Sequence, residues 1–417
     1  MKAVLPPLFA VALAALPLHG QETLKQVESR ALELKQRGDA AGSLAAWNKA
    51  AEMDPKSARI QDEIGFLLAV LNKRDEAVAH FARAIELDAR FAPAHYHLGI
   101  AYFLQQDAGQ AIPQLQTAVA LDPRNFDYQY HFAHALNDTA HYAEALPHLR
   151  QATALNPNHS ESWNQLGLAL QNTGDNAGAL QAYQRSVQLD GSNLDARNSL
   201  GFMLVSTGRA AEGVAEFRKI LNTDPANIAA RVNIGFAHLQ KTELDQAEAE
   251  FREALRRDPN SVVAHYDLGV TLKQKDDLEG SKGELKRALD LDASLPEAHY
   301  TLGIIHWQSG EFDDAAREMQ AAIGLNAAYG EAYFMLGTVL KQKGDLEGAE
   351  KALRSAIRLE PANPGPYNTL AQVLRSKGDA EGSRAAFAEG ARVKENKEAE
   401  LGKMLQRRPN ASGAHAP

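Results

Sequence analysis

The sequence contains no cysteine among its 417 residues. It therefore forms no disulfide, no cysteine-ligated metal site and no thiolate nucleophile. Cations are in the minority, because 44 lysines and arginines stand against 53 aspartates and glutamates, for a net charge of −9. Phosphate binding depends on clustered cations, so this balance disfavours nucleic acid as a general partner.

Sequence signatures of catalysis are missing as well. The chain has no GxGxxG fingerprint, no GxxxxGK[ST] loop, no GxSxG elbow and no HExxH pair. These motifs bring phosphate-binding backbone, nucleophiles or metal ligands together at fixed spacings. We therefore predict that the protein is not an enzyme and that it uses no cofactor.

The first twenty residues, MKAVLPPLFAVALAALPLHG, differ from the rest of the chain. One cation, Lys2, precedes a largely apolar run from Ala3 to Leu18. This pattern predicts a signal peptide over residues 1–20 and a protein that is exported, either periplasmic or secreted. The alternative is a retained membrane anchor, although the run is short of the roughly 20 apolar residues of a spanning helix. Membrane contact is expected only through an uncleaved signal.

What the sequence does contain is a period of 34 residues. Residues 341–361 read KQKGDLEGAEKALRSAIRLEP, and residues 273–293, two periods earlier, read KQKDDLEGSKGELKRALDLDA. A frame that begins at Leu24 gives eleven copies without insertion or deletion and ends at Lys397. Positions within each copy are called places 1 to 34 below.

Small residues recur at three places of this frame. Place 8 is glycine in eight copies and alanine in three, and places 20 and 27 are almost always small. Glycine inside a helix costs about 1 kcal/mol relative to alanine, so its recurrence indicates that two helices approach closely. Place 24 is always large and apolar, and place 32 is proline in six copies, which ends a helix. Gly-Asp pairs near place 15, such as Gly174-Asp175, predict a tight turn.

These features resemble the tetratricopeptide repeat family, and Trp163-x-x-Leu166-Gly167 best matches its opening motif. The resemblance spans residues 24–397 and implies an all-α, right-handed solenoid, or superhelix, of about eleven 34-residue helix-turn-helix units. After it, we predict a C-terminal capping helix over residues 398–408 and a disordered tail over residues 409–417.

In this family, places 2, 5, 9, 12 and 13 of the first helix line a concave groove. Place 5 carries aromatic rings in five copies, and place 12 carries Lys273, Trp307 and Lys341 in three successive copies. The predicted groove contacts are Tyr96, Tyr130, Tyr266, Tyr300, Trp307, Phe334, Lys273 and Lys341. The alternative is that the rings at place 5 pack against the first helix of the next repeat.

Two specific ligand sites of the family do not match this sequence. A two-carboxylate clamp resembles a set of Lys, Arg and Asn at places 2, 5, 6 and 9, but no copy has lysine or arginine at place 5 or 6. An asparagine ladder at place 6 is matched only by Asn233. A histidine-rich stretch lies in two adjacent copies, at His95, His97, His131, His134, His141 and His148. No carboxylate lies at a convincing ligand spacing, so we predict no metal site.

The sequence thus predicts a non-enzymatic scaffold for protein–protein interaction. It would bind a peptide or a partner protein in its concave groove, in envelope assembly or secretion. Two alternatives remain open, a regulatory or substrate-recruiting subunit of an envelope enzyme such as a glycosyltransferase complex, and a carbohydrate binder. The oligomeric state is not predicted.

Overall fold

A computed structural model describes residues 22–406 of the chain. The predicted signal peptide and the predicted tail lie outside the described residues. The chain divides into two compact units, with the boundary after Ala196. Within residues 22–406 the regular secondary structure consists of 22 helices and includes no strand.

The first unit contains ten complete helices and the first residues of an eleventh. They are α1 (Leu24–Gln36), α2 (Ala40–Met53), α3 (Ala58–Val70), α4 (Arg74–Leu87), α5 (Ala92–Leu104), α6 (Ala108–Leu121), α7 (Phe126–Asp138), α8 (Tyr142–Leu155), α9 (Ser160–Asn172), α10 (Asn176–Leu189) and α11 (Leu194–Ser206).

The second unit contains the remainder of α11 and the eleven helices that follow. These are α12 (Ala210–Thr223), α13 (Ile228–Gln240), α14 (Leu244–Arg257), α15 (Val262–Gln274), α16 (Leu278–Leu291), α17 (Pro296–Gln308), α18 (Phe312–Leu325), α19 (Gly330–Lys343), α20 (Leu346–Leu359), α21 (Pro364–Ser376) and α22 (Ala380–Gln406).

A left-handed residue separates the two helices of every repeat. It occupies place 15 in all eleven copies, with φ between 57° and 88°. These residues are Gly38, Asn72, Gln106, Ala140, Gly174, Gly208, Thr242, Asp276, Gly310, Gly344 and Gly378. Six of them are glycine, the residue that adopts this conformation without a steric penalty. The predicted turn and the predicted frame agree with these backbone angles.

The small residue at place 8 and the large residue at place 24 of the same repeat are in contact. A Cβ built on Gly99 would lie 2.7 Å from Cγ of Leu115, and one on Gly235 would lie 2.6 Å from the ring of Phe251. Place 24 is buried in the first ten repeats, whereas Phe387 in the last repeat is 39% exposed. The large side chain therefore fills its own helix pair and is also covered by the repeat that follows it.

The eleventh repeat ends differently from the others. Glu395 stands at place 32, where six repeats have proline, and α22 continues without a break to Gln406. Residues 398–406 of the predicted capping helix are therefore the last turns of α22. The missing proline is not a sufficient cause, because the second helix also ends in the four other repeats without it, which have Ala89, Gly191, Ala293 and Ala327 at place 32.

Candidate binding groove

The first helices of successive repeats contact one another within each unit. In the first unit α3, α5, α7 and α9 form such a series, and in the second unit α13, α15, α17, α19 and α21 do. We call the side of these helices that carries places 2, 5, 9, 12 and 13 the groove face.

Polar side chains join these first helices at a spacing of 35 residues. In four cases place 5 of one repeat bonds to place 6 of the next, and we call these four pairs the cross-repeat ladder. Its pairs are Asp62 with His97 at 2.8 Å, Tyr96 with His131 at 3.2 Å, Asn198 with Asn233 at 2.8 Å, and Tyr266 with Thr301. The ladder borders the groove face and links neighbouring repeats through side chains alone.

Two of the predicted contact residues, Tyr96 and Tyr130, lie in the first unit. The ring of Tyr96 is half-buried, with its centroid 4.8 Å from that of Tyr128 in the next repeat, and burial raises the pKa of its hydroxyl. Tyr130 is only 8% exposed and meets the ring of His159 edge-on, with 4.9 Å between the centroids. Both rings therefore pack against the chain that begins the following repeat.

The three predicted rings of the second unit are packed in the same way. Tyr300 stacks at an angle on Tyr329, 5.1 Å away between centroids. A Cβ built on Gly365, in the first helix of the next repeat, would lie 3.1 Å from the ring of Phe334. Tyr266 packs on a core cluster that includes Leu302. Place 5 thus contributes to packing between repeats, and contact of the remaining exposed ring surface with a ligand stays a prediction.

The predicted contacts at place 12 have three different environments. Trp307 is partly buried against the core around α18, α19 and α20. Lys341 donates from Nζ to Oε1 of Gln372 at 2.7 Å. Lys273 is half-buried, and burial lowers the pKa of its ammonium. Among the described residues Lys273 has no ion-pair partner, so its charge is available to a ligand.

Sequence reasoning missed a row of apolar side chains at place 9. Phe202, Phe236, Val270 and Ile304 occupy this place in four consecutive repeats of the second unit, and each is half-buried. The rings of Phe202 and Phe236 lie nearly parallel, with centroids 6.0 Å apart. The signal was available in the sequence, because place 9 was already assigned to the groove face and is apolar in these repeats.

Sequence reasoning also missed Asp267, at place 6 of the eighth repeat. Its side chain is half-buried, and the loss of solvent raises the pKa of its carboxyl to about 7. Its carboxylate accepts no hydrogen bond from the side chains of residues 22–400. No sequence pattern marks this residue, since place 6 varies freely from repeat to repeat.

The histidines of the first unit are engaged with other protein groups. His95 bonds through Nδ1 to Gln114 and through Nε2 to the carbonyl of Ala89. His148 bonds to Gln129 at 2.7 Å. Burial lowers the pKa of His131 and of His148. These histidines hold the two helices of a repeat together or join neighbouring repeats.

One group in the described part of the chain brings three potential metal-binding side chains together. His306, Glu311 and Asp314 have ligand atoms within 4.8 Å of one another. However, the ammonium of Lys282 lies 3.2 Å from the carboxylate of Glu311, and Arg317 pairs with Asp314. Because cations already neutralise both carboxylates, the group is an ion-pair network at the end of α17 rather than an open coordination site.

No helix within residues 22–406 combines the length and the apolar character needed to cross a membrane. This finding concerns only that part of the chain and leaves the first twenty residues aside.

Sequence profiles of the tetratricopeptide repeat match much of the chain. They cover residues 130–193, 165–228 and 300–365 with one profile, 204–265 with a second, 69–106 with a third and 92–125 with a fourth. The chain belongs to the tetratricopeptide repeat family. Proteins of this family are generally non-catalytic scaffolds for protein interaction. A comparison with curated proteins gives no match.

Several solved structures are similar to this chain. MamA is 28% identical over 40% of this chain and 97% of its own, with a TM-score of 0.38. YrrB, described as a tetratricopeptide repeat protein with an unusual peptide-binding site, is 26% identical over 44% of this chain and 95% of its own, with a TM-score of 0.42. The Cut9–Hcn1 complex aligns over 92% of this chain and 96% of its own, at 12% identity and a TM-score of 0.50. The last likeness supports the solenoid fold, and the predicted fold class is confirmed.

Proposed function

We propose that the groove face of the second unit binds an extended peptide segment of a partner protein. The supporting observation is the row at place 9, formed by Phe202, Phe236, Val270 and Ile304. Each side chain is half-buried, so it is fixed by its repeat and still offers apolar surface to solvent. Contiguous apolar surface bordered by polar groups is typical of a protein-binding site.

The polar groups beside this row suit a peptide backbone. The half-buried Asn198 and Asn233 form part of the ladder that borders it, and amide groups can both donate and accept hydrogen bonds. An extended peptide leaves its backbone groups unpaired and needs such partners along its length. The rings at place 5 pack against neighbouring repeats, which favours a peptide over a sugar that stacks on open ring faces.

A selection from random twelve-residue peptides tests this function. We expect enriched sequences with apolar residues, and a loss of affinity of about tenfold or more when Phe236 is replaced by alanine. The matched control is Leu325→Ala, because Leu325 is an apolar residue at the end of α18 that is 46% exposed. Circular dichroism checks that both variants fold. If no peptide is enriched, or if both variants bind equally well, the groove face of this unit is not a peptide site.

We further propose that the protein works outside the cytoplasm, in envelope assembly or secretion. The supporting observation is the apolar run from Ala3 to Leu18 behind a single cation. Mass spectrometry of the purified protein should find an amino terminus near Gln21. The protein itself should be recovered in the exported fraction of the cells. An intact Met1 on protein recovered from the cytoplasm would remove this part of the proposal. Co-purification with an envelope enzyme would instead favour the subunit interpretation.

A further inference from the structure

A cavity opens in the first unit between the third and the fourth repeat, and we call it the repeat-3 pocket. Its volume of about 620 Å³ lies within the range of pockets that enclose small ligands. The end of α5, the turn after it, the start of α6 and the end of α7 form its walls. The lining residues include Phe103, Leu104, Gln106, Ala108, Asp138 and Thr139. Phe103, Leu104 and Asp138 occupy places 12 and 13, so the pocket lies on the groove face.

The pocket exists because two of its wall positions carry short side chains. Place 17 is Ala108 in the third repeat, but it is large and apolar in four successive repeats of the second unit, where Leu244, Leu278, Phe312 and Leu346 pack on core clusters. Repeats 1 and 6 also have alanine at place 17, and there the next repeat carries Leu71 or Lys241 at place 14. Only the step from the third to the fourth repeat combines alanine at place 17 with a short residue, Thr139, at place 14.

The walls combine apolar surface with a carboxylate that no cation neutralises. Leu104 is 68% exposed, and Phe103 is half-buried with its ring centroid 5.3 Å from that of His134. The carboxylate of Asp138 lies 3.6 Å from Nε2 of His134, which is too far for a hydrogen bond. Within the described part of the chain no lysine or arginine pairs with Asp138. The pocket therefore offers an aromatic ring, an aliphatic wall and a free negative charge together.

The sequence around the pocket is almost without cations. Residues 92–193, which form repeats 3 to 5, contain eight acidic residues and three arginines, and no lysine occurs between Lys73 and Lys219. The three arginines are Arg124, Arg150 and Arg185, and none of them lines the pocket. A positively charged ligand is therefore attracted to this segment and meets no competing cation in the pocket.

We propose that the repeat-3 pocket binds an arginine side chain presented by a partner protein. The guanidinium pairs with the carboxylate of Asp138 and stacks on the ring of Phe103, a combination that suits a flat, forked cation better than the ammonium of lysine. The methylene groups of the arginine contact Leu104 and Ala108, and a remaining N–H group donates to the exposed amide of Gln106.

Charge also distinguishes an arginine within a protein from the free amino acid. Free arginine carries an α-carboxylate, which the acidic residues of repeats 3 to 5 repel, whereas an arginine inside a polypeptide has none. The site lies in the first unit and does not depend on the peptide site proposed for the second unit.

Two peptides that differ in one charge test the pocket. The probes are acetyl-Ala-Ala-Arg-Ala-Ala-amide and the same peptide with citrulline, a neutral analogue of arginine of nearly the same shape. Isothermal titration calorimetry of the full chain at neutral pH should show that the arginine peptide binds about tenfold tighter than the citrulline peptide. The corresponding lysine peptide should bind severalfold more weakly than the arginine peptide.

One variant removes the charge of the pocket and another fills its space. Asp138→Asn should abolish the difference between the arginine and citrulline peptides, whereas Asp127→Asn, at an exposed carboxylate in the first turn of α7, should preserve it. Ala108→Leu introduces the side chain found at Leu244 and should abolish binding of both peptides without lowering the melting temperature. Ala380→Leu, at the same place of the last repeat and exposed, is its control and should change neither affinity.

Several outcomes would overturn the inference. Equal affinity for the arginine and citrulline peptides removes the site, and so does failure of the arginine peptide to bind at millimolar concentration. An equal loss in Asp138→Asn and Asp127→Asn would show that overall charge, and not the pocket, attracts the peptide. A lysine peptide that binds as tightly overturns the choice of arginine, and free arginine that binds as tightly overturns the assignment to a partner protein. Each of these results leaves the peptide site of the second unit to its own selection experiment.

Discussion

The two units of the chain build the same ladder from different chemistry. In the first unit the pairs are Asp62 with His97 and Tyr96 with His131, so every member is ionisable and every member has a partner. In the second unit the amides of Asn198 and Asn233 pair, and the hydroxyl of Tyr266 pairs with Thr301. The same register thus carries histidine pairs in one unit and pairs of amides or hydroxyls in the other.

This difference shows that packing within a helix pair and pairing between first helices are carried by separate places of the repeat. Places 8 and 24 carry the same kinds of residue in both units, as Gly99 with Leu115 and Gly235 with Phe251 illustrate. Places 5, 6 and 9 vary, because a change there alters the surface between first helices without altering contact within a helix pair. A solenoid can therefore change its ligand chemistry repeat by repeat while each repeat folds on its neighbours.

The largest expected effect is on stability and concerns the contact between place 8 and place 24, which both units share. Gly235→Leu should destabilise the second unit by about 3 kcal/mol, because even a Cβ would lie 2.6 Å from the ring of Phe251. Gly99→Leu should cause a comparable loss in the first unit, where Leu115 is equally close. Urea denaturation followed by circular dichroism measures both.

The matched control for this prediction is another helical glycine. Gly283, within α16, has no atom within 4 Å of the position of a Cβ. Gly283→Leu should be neutral or stabilising by up to about 1 kcal/mol, because leucine favours helix over glycine. Equal losses at Gly235 and Gly283 would mean that close helix contact is not the reason for glycine at place 8.

The next effect concerns the rings at place 5. Tyr300→Ala should cost about 2 kcal/mol, less than a fully buried ring, because Tyr300 is half-buried against Tyr329. Tyr300→Phe keeps the ring contact and should melt close to the unchanged protein. If Tyr300→Ala instead melts at an unaltered temperature and binds a selected peptide more weakly, the ring contacts the ligand and does not stabilise the fold.

Acidification should affect the two units in opposite directions. In the first unit burial lowers the pKa of His131, so its contribution to stability is present above the unfolded value of about 6.5 and is lost as the pH falls below it. In the second unit Asp267 has a folded pKa of about 7, raised above the unfolded value. The stability that the protonated carboxyl of Asp267 contributes is therefore present at low pH and is lost as the pH rises through 7.

Hydrogen exchange resolved by mass spectrometry can follow each unit between pH 8 and pH 5, after correction for intrinsic exchange rates. The first unit should lose protection near α7, and the second should gain it near α15. Asp267→Asn should abolish the gain, and His131→Gln should reduce the loss. A parallel response of both units would show that these two groups do not govern their stability.

The smallest effect is expected at the lysines of place 12. Lys273→Met keeps the half-buried stem and removes the charge, so the melting temperature should change by the equivalent of about 0.5 kcal/mol or less. Lys341→Met should behave similarly, with the loss of one hydrogen bond to Gln372. Both should weaken acidic peptides severalfold at low salt, and the effect should shrink at high salt because exposed charges are screened. Insensitivity of such binding to salt would exclude an electrostatic role.

The sequence by itself determined the helix pair and its repetition. The period of 34 residues, glycine at place 8, the large residue at place 24 and the turn at place 15 are local patterns, and local patterns specify local helices and their closest contacts. The length of α22 does not follow from Glu395 alone, since repeats with Ala89, Gly191, Ala293 and Ala327 at the same place have second helices that end.

The tertiary structure decided which groove residues meet. Contact between places 5 and 6 of successive repeats depends on how each repeat is rotated against the next, and no local pattern encodes a spacing of 35 residues within a period of 34. The same rotation brings Tyr96 against Tyr128 of α7 and Tyr300 against Tyr329, the residue that precedes α19. Partial burial in the fold also raises the pKa of Asp267, which nothing in the local sequence indicates.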